Sequence, residues 1–163
     1  MLNIMSTELV PDLSADEAQY YFLEAENSER KRFPKILHNQ GDYYNKVVNF
    51  VLDGSYMQPH LHPGEEKTEK MFLVDGSFAL ILFDNSGKVS DSIVLAKGGI
   101  ESLDVPAFTW HTYVMLTEKV IIYETMDGVY EPSSWKEMAP WAPLENTKEA
   151  VNYLSFLKSK VLP

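Results

Sequence analysis

Between Val47 and Thr125 the chain breaks into short, mostly apolar runs. Asp53-Gly54, Pro63-Gly64, Asp75-Gly76, Asp84-Asn-Ser-Gly87, Gly98-Gly99 and Thr117-Glu-Lys119 separate them. The runs fall at roughly 47–52, 56–62, 70–74, 78–83, 92–95, 101–105, 112–116 and 120–125. Many short strands at near-regular spacing, with turn residues between them, predict an all-β sandwich or small barrel. Asp75-Gly76 reads as the clearest hairpin turn. The run from Phe78 to Phe83 is apolar on both faces, which predicts a strand inside the core. Helical signals occur only at the flanks. Ser14-Ala-Asp-Glu17 has the form of a capping box, and Ala18, Phe22 and Ala25 follow at near-helical spacing, predicting a helix over 14–27. Ala150, Leu154, Leu157 and Val161 share one face of a second helix at about 146–160, which should pack on the outside of the barrel. With no repeat or linker visible, residues 1–163 read as one domain with a barrel core at about 45–126.

Composition excludes several classes of function. The 163 residues contain no cysteine, so disulfides and thiolate ligands are ruled out. Basic residues number 14 against 24 acidic, a net charge of −10. That average field repels polyanions and argues against nucleic-acid binding. No apolar run reaches the ~18 residues of a membrane span. The first residues lack the basic start and apolar stretch of a secretory leader, which with the missing cysteines favours the cytoplasm.

The chemistry concentrates at His60 and His62. Residues two apart on a strand share a face, so two imidazoles about 6–7 Å apart can close on one ion. Glu69, at the start of the next run, and His111 offer a carboxylate and a third imidazole. Without cysteine, this donor set suits zinc, iron, manganese or nickel. Three of the four histidines in the chain fall into the pattern.

The spacing Gly54, His60-x-His62, Glu69, Gly76 resembles the first cupin motif, and Pro106-Ala-Phe-Thr-Trp-His111 resembles the second. The stretches Pro59–Pro63 with Lys67-Thr-Glu69, Pro106–His111, and Gly128-Val-Tyr-Glu-Pro132 leading to Ala139-Pro-Trp-Ala-Pro143 are similar to the WbuC-type cupin metalloproteins. The resemblance implies an all-β cupin jelly roll with flanking helices and a divalent transition metal on His60, His62, Glu69 and His111. It also implies a small-molecule substrate, with isomerase or epimerase chemistry in sugar or surface-polysaccharide (O-antigen) metabolism. A metal-dependent iron oxygenase and a non-catalytic ligand-binding or sensor module are the alternatives.

The sequence departs from the motifs in three places. The gap from His62 to Glu69 is long, so Glu65 and Glu66 compete for the carboxylate role. Spacing from the histidines chooses Glu66. Spacing back from Gly76 and the Lys-x-Glu match choose Glu69, and strand starts tolerate insertion less than loops do. Phe108 stands where a glycine is usual, so it either narrows the pocket or marks a differently built turn. Met115 replaces the usual asparagine. Tyr56 and Gln58 share strand parity with the histidines and are expected in the cavity, Tyr56 as the nearest candidate for a catalytic base. Arg30, Arg32 and His38 are candidates for the pocket mouth, and Tyr130, Glu131 and Trp141 for a cover or a barrel end. Trp110 should face away from His111. Unpaired sheet edges suggest a homodimer.

Overall fold

The structure is a computed structural model describing residues 10–161. The reading of the first residues as leaderless falls mainly on 1–9, outside the described residues. Two five-stranded antiparallel sheets form a jelly roll between two helices. In chain order the elements are α1 (Ala15–Asn27), β1 (Arg32–Ile36), β2 (Tyr44–Leu52), β3 (His60–Leu61), β4 (Glu69–Asp75) and β5 (Ser77–Phe83). Then follow β6 (Val89–Ala96), β7 (Ser102–Val105), β8 (His111–Met115), β9 (Lys119–Asp127), β10 (Glu137–Met138) and α2 (Lys148–Ser159). One sheet has the order β1-β2-β9-β4-β7, the other β10-β3-β8-β5-β6.

Both helices start where their caps dictate. Ser14 Oγ accepts from Glu17 N, and the Glu17 carboxylate accepts from Ser14 N, closing the capping box. Thr147 Oγ1 accepts from Ala150 N at the start of α2. Alternation then sorts side chains into three layers. Val51, Met71, Leu73, Phe78, Leu80, Tyr113, Val120 and Ile122 meet between the sheets. Val48, Phe50, Ile121 and Tyr123 pack outward against Phe22 of α1. Ala79, Ile81, Phe83 and Val114 pack against Ala150, Leu154 and Leu157 of α2. From Phe78 to Phe83 β5 is apolar at every position because both of its faces are covered.

The Asp75-Gly76 turn is not a hairpin. β4 pairs with β7 and β9, whereas β5 pairs with β6 and β8, so the turn carries the chain from one sheet to the other. A tight turn between two apolar runs looks the same in sequence whether its strands pair or separate at a corner. The strand system also begins earlier than residue 45. β1 pairs along β2 from Arg32↔Val51 to Ile36↔Val47. Its basic and proline-containing sequence hides it, since Pro is tolerated only on an edge strand.

Candidate metal centre

Three strands bring the four donors together. His60 on β3 is the cross-strand partner of His111 on β8. Glu69 opens β4, held in register by its pairing with Val105, and shares a face with Met71 and Leu73 of the interior. His62 follows β3 directly. One ligand atom from each of His60, His62, Glu69 and His111 lies within 4.8 Å of all the others, and all four residues are buried. Glu65 and Glu66 are exposed in the loop before β4. The inserted residues are thus absorbed by that loop, and the strand start is unchanged.

Hydrogen bonds orient every ring. Nδ1 of His60 faces Gln58 O at 3.0 Å, that of His62 faces Trp135 O at 2.9 Å, and that of His111 faces Thr109 O at 2.8 Å. A carbonyl only accepts, so each Nδ1 carries the proton and Nε2 is left as the ligating nitrogen. Yet Nε2 of His62 and of His111 lies 3.2 and 2.9 Å from Glu69 Oε2. A neutral imidazole has one N–H and cannot serve acceptors at both nitrogens. Positive charge at the centre removes the conflict, either as extra protons on buried rings or as a metal ion taking both Nε2 lone pairs and the carboxylate. Burial, with His111, Lys136 and His62 adding to it against the opposing Glu69, holds His60 well below its ordinary pKa, so that ring is neutral and ready to ligate. Burial alone would raise Glu69. The hydrogen bonds with His111 and His62 outweigh it and keep the carboxyl well below the usual range. The donor set fits a divalent transition metal.

A cavity of about 180 Å³ opens beside these residues. Asn45, Val47 and Asn49 of β2 line it, with Glu124 and Met126 of β9, Met57, Tyr113, Trp135, Lys136, Arg30 and Arg32. Glu124 hydrogen-bonds with Glu69; burial and the neighbouring negative charge push its carboxyl well above the ordinary range. Its signal was parity: Val120 and Ile122 face inward, so Glu124 must as well. Trp135 and Lys136 come from the segment before β10. That segment is stitched to the β3 edge by Met138↔His60 and by Ala139 N donating to Pro59 O at 2.8 Å.

Several expected pocket residues lie elsewhere. Only His60–Leu61 of the 56–62 run is a strand, so period-two parity does not carry back to Tyr56 and Gln58. The Tyr56 hydroxyl donates to Pro143 O at 2.7 Å, in the α2 layer, and Gln58 Nε2 donates to Ala139 O at 3.0 Å. His38 caps its own hairpin, its Nδ1 accepting from Lys46 N at 3.0 Å. Phe108 is exposed with φ of 60°, so it leaves the pocket open. The left-handed backbone explains why glycine is usual there. Tyr130 is half-exposed and touches Trp135 rather than the cavity, with ring centroids 5.1 Å apart. Trp141 packs on Phe83 and Trp110 at the α2 end, and Trp110 does face away from His111.

Arg30 and Arg32 do reach the cavity, with Glu145 between them. Arg32 Nη2 donates to Glu145 Oε1 at 2.6 Å and Arg30 Nε to Oε2 at 3.1 Å. Burial opposes ionisation of Glu145, but Arg32 and then Arg30 hold its carboxyl below the ordinary value. Its contribution is complete above the unfolded carboxylate pKa of about 4.3 and fades as pH falls through the lower folded value. Glu145→Gln should therefore destabilise the fold by about 2 kcal/mol at pH 7, because it strands the buried Arg32. The gap from the unsubstituted chain should narrow below about pH 4. Urea denaturation across that range measures both effects.

The model of a family described as Domain of unknown function (DUF6016) matches residues 13–95, just over half of the chain. The chain belongs to the DUF6016 family. His60, His62 and Glu69 lie inside that match, and His111 lies beyond it. No curated protein matches the DUF6016 chain. Solved structures similar to it include the protein SO0799 from Shewanella oneidensis, with a TM-score of 0.54 at 10% identity over 65% of this chain and 72% of the other. CapF is similar with a TM-score of 0.55 at 17% identity, over 64% of this chain and 31% of CapF. Lactobacillus farciminis oxalate decarboxylase gives 0.50 at 14% identity, over 64% and 30%. The chain thus spans under a third of the length of the last two. These likenesses show the cupin jelly-roll fold. Among the described residues no helix is long and apolar enough to cross a membrane.

Proposed function

We propose that this DUF6016 chain holds one divalent transition-metal ion on His60, His62, Glu69 and His111 and acts on a small molecule in the adjoining cavity. The observation that carries this reading is the hydrogen-bond conflict at the centre. Two imidazoles face a backbone carbonyl with one nitrogen and the same carboxylate oxygen with the other. A bound metal polarises a carbonyl or hydroxyl oxygen of its substrate. Around it the protein's own groups divide the work. The backbone carbonyls of Gln58, Thr109 and Trp135 fix the rings, and Trp135 forms one wall of the cavity. Glu124 presents a carboxyl group to the same space, a group able to serve in proton transfer.

That arrangement supports an isomerase or epimerase over a purely structural site. The tail from Gly128 to Pro143, similar to that of WbuC-type cupins, supports a role in sugar or surface-polysaccharide metabolism. CapF and oxalate decarboxylase were solved with a tropolone inhibitor and with formate, both small oxygen-bearing molecules. A homodimer through the open edges of β6 or β7, and a cytoplasmic location, belong to the same proposal; sedimentation velocity tests the first. Protein purified without added metal should carry about one transition-metal ion per chain by elemental analysis. No metal in the purified protein, and no zinc uptake in calorimetry, would overturn the reading. Iron as the resident metal would move the reaction class toward an oxygenase.

A further inference from the structure

The cavity beside the four donors is unevenly charged. Three cations, Arg30, Arg32 and Lys136, line it; Glu145 pairs with both arginines, and the carboxyl groups on its walls are those of the donor Glu69 and of Glu124. Arg32 is held inside the protein: its Nη1 donates to Arg30 O, Ser55 Oγ and Tyr56 O while Nη2 holds Glu145. Arg30 uses only Nε on Glu145, apart from its backbone. Lys136 is different. It is partly buried, sits among two like charges, and makes no hydrogen bond or ion pair among the described residues. Burial and then the two arginines push its pKa down against the opposing pull of Glu145 and Glu69, so the ammonium group gains from a further counter-charge.

A second observation comes from Asn45 of β2, which lines the same cavity. Asn45 is 4% exposed, and its Nδ2 donates to Met126 O and Gly128 O. Its Oδ1 is buried and has no partner. A buried acceptor without a donor is costly, and Asn45 lines the cavity, so a hydroxyl or N–H of a bound molecule can serve as its donor. Asn49 adds a further amide to the same wall. The volume, about 180 Å³, is below the roughly 300–1,000 Å³ of drug-sized pockets.

We propose that the cavity takes a small hydroxylated anion, its carboxylate or phosphate paired with Lys136 and Arg30 and one of its hydroxyls donating to Asn45 Oδ1. The proposal rests on reading this cavity as the substrate pocket of the metal centre.

Zinc-loaded protein titrated calorimetrically with gluconate, glucose 6-phosphate, glucose and acetate tests it, with zinc content measured on the same samples. Gluconate or glucose 6-phosphate should bind about tenfold or more tightly than both glucose and acetate, and which of the two prevails separates carboxylate from phosphate. Lys136→Gln should remove most of that preference and leave zinc content and glucose affinity unchanged, which separates the side chain from direct attraction to the ion. Asn45→Asp keeps an acceptor oxygen but replaces the donor to Met126 O and Gly128 O by a negative charge, so it should weaken the same anions more than it weakens glucose. Equal affinity for glucose and the hydroxylated anions in the unsubstituted protein, no binding of any probe, or full anion affinity in Lys136→Gln would each overturn the proposal. Full zinc content with no anion preference sinks this inference alone. Lys136-dependent anion binding in protein that takes up no zinc supports the anion site and sinks the metal reading instead.

Discussion

His111→Ala should abolish metal uptake while leaving the fold in place. His111 supplies one of four ligand atoms clustered within 4.8 Å, and its Nδ1 is fixed by Thr109 O, so its removal takes away a whole oriented donor. Losing an outer hydrogen bond at a metal site costs about 10–100-fold in affinity, and losing the ligand itself must exceed that. The effect on stability follows from linkage. A metal present at about 100 times its dissociation constant adds about 2.7 kcal/mol to the folded state. In a chain of this size that corresponds to a rise of about 5–10 °C in melting temperature. Zinc should therefore raise the melting temperature of chelator-treated protein and leave that of His111→Ala unmoved. Glu69→Gln should behave like His111→Ala, and Glu66→Gln like the unsubstituted chain. A variant lacking His111 that still takes up metal, or a Glu66→Gln variant that fails to, would show that the donors are others.

Gly76→Ala should be the most destabilising single methyl addition in the fold, by about 3 kcal/mol or more. Gly76 has φ of 80°, and a Cβ there would sit 2.3 Å from Lys119 O, 2.7 Å from Thr117 Oγ1 and 3.1 Å from Val120 Cα. Two of those three atoms are backbone, and the corner between the sheets cannot open without moving β4 or β9. Gly98→Ala is the control. Gly98 has a similar φ of 81° but nothing within 4 Å of the added carbon. It bears only the left-handed backbone penalty, about 1 kcal/mol. Equilibrium urea denaturation of the two variants separates conformation from collision. Equal losses would mean that the Gly76 corner relaxes freely.

The same corner shows the limit of local patterns. Asp75-Gly76 marks a turn, and the turn is present, but pairing partners are non-local and its strands belong to opposite sheets. Tyr56 and Gln58 fail for a related reason. Their parity with His60 matters only if the intervening residues are extended, and just two residues there pair as a strand. Glu69 rather than Glu66 joins the buried cluster because its register is tied to a strand, whereas a loop absorbs insertions. The flanking helices were legible because their caps and apolar faces are local.

Caps, alternation and motif spacing act over a few residues, so the all-β class, the flanking helices and the four residues that cluster as candidate donors can be read from the chain alone. What surrounds those donors depends on contacts between distant segments. Glu124, Asn45, Lys136, Trp135 and Glu145 come from four separate segments that meet solely through sheet pairing and closure of the tail against β3. Charge complementarity in a pocket is a property of that meeting, because each residue acquires its partner, or lacks one, only when distant strands are brought into register.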